Sequence, residues 1–184
     1  MQGSREKNEE ESIMKILVAY YTKTGNTKKV AEGIYQALDK NDKELKTMKE
    51  VEDTEGYDLI FCGFPVHAHS VPVSAQNFLK KIPPSAKVAL FSTHGSQREG
   101  QMPKEAIHNA IGLVKGEVLG SFTCRGEVEQ EIIDGLVNRP EHRAWAMEAR
   151  SAQSHPDSAD LDDAQFFAKN MVRRAVGFTD FARK

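Results

Sequence analysis

Residues 15–30 read KILVAYYTKTGNTKKV, and the change of character half-way along this stretch decides what the chain can be. Ile16 to Tyr21 is an uncharged run of apolar and aromatic residues rich in β-formers, and it stops at a cluster of hydroxyls and one glycine. Such a run predicts a strand buried on both faces, as parallel strands are. Beyond Thr27, the residues Val30, Ile34, Ala37 and Leu38 recur at helical spacing and predict a helix over residues 27–40. Between the two lie Thr22, Lys23, Thr24, Gly25, Asn26 and Thr27, which bring three hydroxyls and a run of main-chain N–H groups to a helix N-terminus. Unsatisfied donors and the helix dipole together attract an anion, and a phosphate suits the position. The same residue types also make ordinary helix caps and turns, so the rest of the chain has to arbitrate.

Working outward, strand and helix patterns alternate. A weaker strand over 44–51 is interrupted by Lys46 and Lys49, as at a sheet edge. Residues 57–64, YDLIFCGF, predict a central strand that exits through PVHAHSVP into a helix burying Ala75, Phe78, Leu79 and Ile82. Residues 87–92 predict the fourth strand, with Thr93, His94, Gly95 and Ser96 as its exit loop. A helix over 103–114 follows, with Ile107, Ala110, Ile111 and Val114 on one stripe, and then a fifth strand over 117–123. Ala164, Phe167, Ala168, Met171, Val172 and Ala175 mark a closing helix that begins at Ser158. The material before it, about 127–159, is an insert with helical segments near 129–137 and 141–153.

The strand followed by T-x-T-G-x-T closely resembles the phosphate loop of flavodoxins, and the alternation that follows carries the resemblance over about Met14 to Arg174. It implies an α/β, doubly wound five-stranded parallel sheet in the order 2-1-3-4-5, with a helical insert between strand 5 and the last helix. The implied cofactor is FMN. Thr22, Lys23, Thr24, Gly25, Asn26 and Thr27 would take its phosphate, and the loops Pro65-Val66-His67-Ala68 and Thr93-His94-Gly95-Ser96 would hold the isoalloxazine ring. These two loops contain neither Trp nor Tyr, the residues that often flank the ring in flavodoxins, which leaves Val66, His67 and His94 as the flanking candidates.

Composition bounds the alternatives. A chain of 184 residues with 39% hydrophobic content supports one domain, 14–184, behind a charged, aperiodic extension, 1–13, that is expected to be disordered. The extension carries Arg5 and Lys7 against Glu6, Glu9, Glu10 and Glu11, so the net charge of −2 belongs to it and the domain is neutral. A basic footprint for nucleic acid is missing, as is the acidic field by which many flavodoxins reach basic partners. No apolar run of about 18 residues and no signal peptide stand in the sequence, and Cys62 and Cys124 have no metal or disulfide spacing. A cytoplasmic protein, monomeric or weakly dimeric, is expected.

Three of the six histidines, His67, His69 and His94, fall on the expected ring side, where imidazole could stack, bond a ring edge or couple a proton. The same three nitrogens could instead hold zinc or iron, a reading set aside. Cys124 lies near the same rim but has no resolving partner, and a small buried hydrophobe is its expected role. The implied function is an electron carrier between a reductase and an acceptor enzyme, with no residue acting as acid or base. The alternatives are a small FMN-dependent NAD(P)H or quinone oxidoreductase, and a flavin-free module that binds a partner through the insert.

Overall fold

A computed structural model describes residues 13–97 and 99–177. All of the expected N-terminal extension except Ile13 lies outside the described residues, as does the expected domain beyond Gly177. Strand β1 (Lys15–Tyr20) is buried along all but its first residue. It pairs in parallel with β2 (Asp42–Thr47) on one side and β3 (Leu59–Pro65) on the other. β4 (Lys87–His94) and β5 (Glu117–Arg125) complete a five-stranded parallel sheet in the order β2-β1-β3-β4-β5, as expected. Helices α1 (Asn26–Gln36), α2 (Val73–Leu79), α3 (Gln101–Leu113) and α6 (Ser158–Ala175) cover the two faces.

Strand side chains alternate between faces, and the unbroken apolar runs therefore feed two cores at once. Ile16, Val18, Phe61 and Phe91 meet α1 and α6 through Val30, Ile34, Phe167 and Met171. Leu17, Ile60, Phe64 and Leu90 meet α2 and α3 through Phe78, Leu79, Ala106 and Ala110. Phe167 packs edge-on to Phe61 at 6.1 Å and stacks on Phe122 at 5.7 Å.

Pairing moves several boundaries away from their sequence-based positions. β2 spans 42–47 rather than 44–51, because β1 offers partners only from Lys15 to Tyr20 and the Glu50 carboxylate then accepts from the Thr47 N–H at 2.8 Å and turns the chain. α1 stops at Gln36 rather than 40, where Ala37 and Leu38 donate to carbonyls three residues back and tighten the last turn. β4 and β5 each run two residues past the expected end, since Thr93 pairs with Cys124 and His94 with Arg125. Thr93 and His94 therefore belong to a strand, not to an exit loop. Ile111, expected on the buried stripe of α3, is 43% exposed. It lines a groove of about 620 Å³ along the outer edge of β5, with Phe122 and Phe166.

The insert forms a helical hairpin, α4 (Gln130–Val137) and α5 (Pro140–Arg150), around a small cluster of its own: Ile133, Ala146 and Ala149, with Val128 and Trp145 against it.

Gly63 faces Phe91 across the β3–β4 ladder, and a Cβ there would lie 2.1 Å from the ring. Gly63→Ala is expected to destabilise by about 3 kcal/mol, near the top of the range for overpacking. Gly112→Ala, in α3 with nothing within 4 Å, should stabilise by about 0.5–1 kcal/mol. Urea midpoints of the two variants check both signs.

Candidate functional site

Between β1 and β3 the connections part to opposite sides: β1 leads out to β2, and β3 leads towards β4 and β5. That reversal is the switch point at which open α/β sheets leave a crevice beyond the carboxyl ends of their strands. The exits of β1, β3 and β4 meet there.

After β1 the chain passes through Thr22–Gly25 into α1. Gly25 is the N-cap in the left-handed region, φ 96°, where a side chain would be strained, and its open side has nothing within 4 Å. The Gly25 N–H donates to the Thr22 hydroxyl oxygen at 3.0 Å, which closes the turn. No side chain caps α1, and no acidic residue stands in its first turn. The first-turn N–H groups, which have no acceptor inside a helix, start beside the Thr22 and Thr24 hydroxyls without a side-chain cap. α6, whose N-terminus lies at the same edge, is closed by its own chain: Asp157 accepts from the Asp160 N–H at 3.0 Å and Asp160 accepts from the Asp157 N–H at 3.1 Å. One helix start is filled by carboxylates of the protein, and the other carries neither a side-chain cap nor an acidic residue.

Thr27 is fully buried, its hydroxyl 2.9 Å from that of Thr93. This pair ties the first turn of α1 to the end of β4. The Val66 N–H donates to the Thr93 carbonyl at 2.8 Å and holds the β3 exit alongside. His67 and Ser70 then exchange two main-chain bonds, 3.0 and 2.9 Å, around a tight turn. Its two central residues, Ala68 and His69, stand at φ 46° and 62°. Neither is glycine, and left-handed backbone costs an L-residue about 1–2 kcal/mol; strain of this kind concentrates at binding sites. Pro65 and Val66 are half-buried, whereas His67, Ala68 and His69 face solvent.

The β4 exit behaves differently. His94 is only 4% exposed and Ser96 5%, and the His94 Nδ1 donates to the Ser96 carbonyl at 3.0 Å. The loop turns these side chains inward, and the first residues of the insert lie across it. The Gly126 N–H donates to the His94 carbonyl at 2.9 Å, and the Asn26 side chain donates to the Glu127 carbonyl at 2.8 Å. The sequence-predicted residues of all three loops thus converge on one rim. The Asn26 amide is spent on the insert and on the Thr24 hydroxyl, at 3.2 Å. Tyr21 stands just outside the ring loops, immediately after β1. Half-buried, it continues the face of Leu17 and Ala19 and packs on the same apolar cluster as Val66. The period-2 alternation of β1 was the signal for it.

A family model described as a flavodoxin domain matches residues 17–169. The chain belongs to the flavodoxin domain family. It is 31% identical over 175 residues to the flavodoxin-like domain-containing protein BilS of Clostridioides difficile, covering 88% of this chain and 98% of that protein. Among solved structures it is similar to oxidised flavodoxin 2 from Bacillus cereus, with a TM-score of 0.59 and 21% identity over 87% of this chain and 99% of that one. It is also similar to a flavoprotein from Lactobacillus acidophilus in complex with FMN, with a TM-score of 0.50 and 23% identity over 60% of this chain and 93% of that one.

In this flavodoxin-family chain the three rim histidines do not form a common ligand set. His67 and His69 are exposed, His94 is buried, and His69 reaches Glu105 of α3 at 3.4 Å. Among the described residues the groups close enough to share an ion are His155, Asp157 and Asp160. Those carboxylates already serve the α6 capping box, and the His155 Nδ1 lies 2.6 Å from Asp160. No helix among the described residues is long and apolar enough to cross a membrane. Both cysteines are free and fully buried, and burial pushes the Cys62 thiol far above its ordinary pKa. The native protein should therefore resist a thiol reagent such as dithiobis-nitrobenzoate, with both thiols reacting once guanidinium unfolds it. Rapid modification of Cys124 in the folded protein would restore a redox role for it.

Proposed function

We propose that this chain binds FMN and carries electrons between a reductase and an acceptor enzyme in the cytoplasm. One observation bears most of the weight: the uncapped, acid-free start of α1, beside the Thr22 and Thr24 hydroxyls, with Gly25 leaving its approach open. The donors suit a phosphate ester, and the family to which the chain belongs supports FMN as its bearer. The flavin supplies the one- and two-electron chemistry; the chain supplies binding, orientation and access.

In this reading the main-chain N–H of Asn26, which is half-buried, and the hydroxyls of Thr22 and Thr24 hold the phosphate. Lys23, exposed beside them, adds positive charge. Thr27, fully buried with its hydroxyl against Thr93, fixes the first turn of α1 to the end of β4. Val66 and the turn through Ala68 lie on one side of the ring and the β4 exit, where Gln97 is exposed, on the other. The β3 exit faces solvent, and Val73 at the start of α2 is 70% exposed. An electron can therefore leave at the surface towards a protein partner, which favours a carrier over an enzyme with an enclosed substrate. The two buried, unbridged cysteines suit a reducing compartment.

The test is titration of FMN and of riboflavin, which lacks the phosphate, with the flavin-free protein, read by quenching of flavin fluorescence. FMN should bind far more tightly. Each of Thr22→Ala and Thr24→Ala removes a hydrogen bond to a charged group, worth about 1.5 kcal/mol. FMN affinity should fall about tenfold for each, with riboflavin affinity unchanged. Equal affinity for the two flavins would defeat the phosphate assignment. Steady oxidation of NADPH by the loaded protein alone, with a quinone as acceptor, would replace the carrier by an oxidoreductase.

A further inference from the structure

The α4–α5 hairpin is absent from the five-strand plan, yet it is bonded to the loop after β4. Arg125, the last residue of β5, lies between them. Its guanidinium donates to the carbonyls of Ser96 at 3.2 Å and Gly95 at 3.4 Å on the loop side. On the hairpin side it donates to the Glu148 carbonyl at 2.9 Å, the Ser151 carbonyl at 3.0 Å and the Ser151 hydroxyl at 2.9 Å. Glu148 and Ser151 lie at the C-terminal end of α5, where the dipole favours a cation, and the Glu148 carbonyl also accepts from the Ser151 N–H at 3.0 Å. The Glu148 carboxylate accepts from the Gln97 N–H. Gly95 fits beneath the hairpin so closely that a Cβ would lie 2.5 Å from Val128 and 3.5 Å from both Ala149 and Trp145.

We propose that Arg125 is a positioning residue, which fastens the hairpin to the β4 exit and so presets the loop that borders the flavin ring. The planar fork is what allows one side chain to serve two elements; an ammonium group cannot hold that set of acceptors. A loop held before binding need not be ordered by the ligand, and affinity rises accordingly. This rests on the FMN reading above, and its consequences are separable from it. The phosphate loop discriminates FMN from riboflavin, whereas the fastened loop acts on the ring that both flavins share.

The experiment compares wild type, Arg125→Lys and Glu148→Ala by titration with FMN and with riboflavin. Amide hydrogen exchange of the flavin-free proteins is followed in parallel. Arg125→Lys should weaken both flavins by the same factor, about tenfold or more, and speed exchange at Gly95, Ser96 and Gln97. Glu148→Ala, which removes the acceptor for Gln97 but leaves the guanidinium bonds, should do the same to a smaller degree. It also guards against a lysine variant that fails to fold. Unchanged affinity for both flavins, with only a lower melting temperature, would reduce Arg125 to a structural cap and overturn the proposal. Loss of FMN affinity alone would overturn it too. If wild type binds neither flavin, the FMN reading falls, and exchange decides the fastening: faster exchange at Gly95–Gln97 in Arg125→Lys upholds it, and unchanged exchange overturns it.

Discussion

Parallel pairing between β1 and β3 is the constraint from which the remaining geometry follows. Parallel neighbours cannot be joined by a tight turn, so each connection returns along the sheet face, and the helices that make it cover both sides. Every strand then ends at one edge, and α1, α2, α3 and α6 start there. Because the chain departs outward from β1 and inward from β3, the surface opens between those two exits. The buried Thr27–Thr93 hydroxyl contact and the Val66–Thr93 bond register three separate loops against one another at that opening. The rim is therefore built from the ends of a rigid ladder, and its loops need little length of their own.

Two helix starts at this edge are finished in opposite ways. The Asp157–Asp160 box satisfies α6 from within and leaves it no use for a ligand. The start of α1 has no such group, and the cost of its free donors is met by water or by an anion. Glycine at residue 25 serves both backbone and access, since it takes φ 96° without strain and leaves the approach clear.

The insert changes the other end of the site. A β4 exit left to itself would expose His94 and Ser96; here both are buried, because the β4–β5 ladder runs on to His94–Arg125 and the hairpin lies over Gly95. Tyr21 packs on the apolar cluster at the β1 side, and Trp145 lies against Gly95. The solvent-facing side of the rim is then the β3 exit, with its strained Ala68–His69 turn.

By itself the sequence determined the class of fold and the order of its elements, and it marked the turn between β1 and α1. Those rest on local signals: the unbroken apolar run 16–21, the helical spacing of Val30 and Ile34, and T-x-T-G-x-T between them. The partition of the core between two faces was legible for the same reason, since strand alternation and helix periodicity are short-range. Tertiary structure alone decided where β2 and α1 stop, that Thr93 and His94 are strand residues, and that Ile111 faces a groove at the β5 edge. Each of these depends on a partner distant in sequence. It also decided the role of Arg125: nothing in Cys124-Arg125-Gly126 signals that one guanidinium will bridge residues 95–96 and 148–151, because the acceptors are main-chain carbonyls, which every residue carries and no sequence pattern marks.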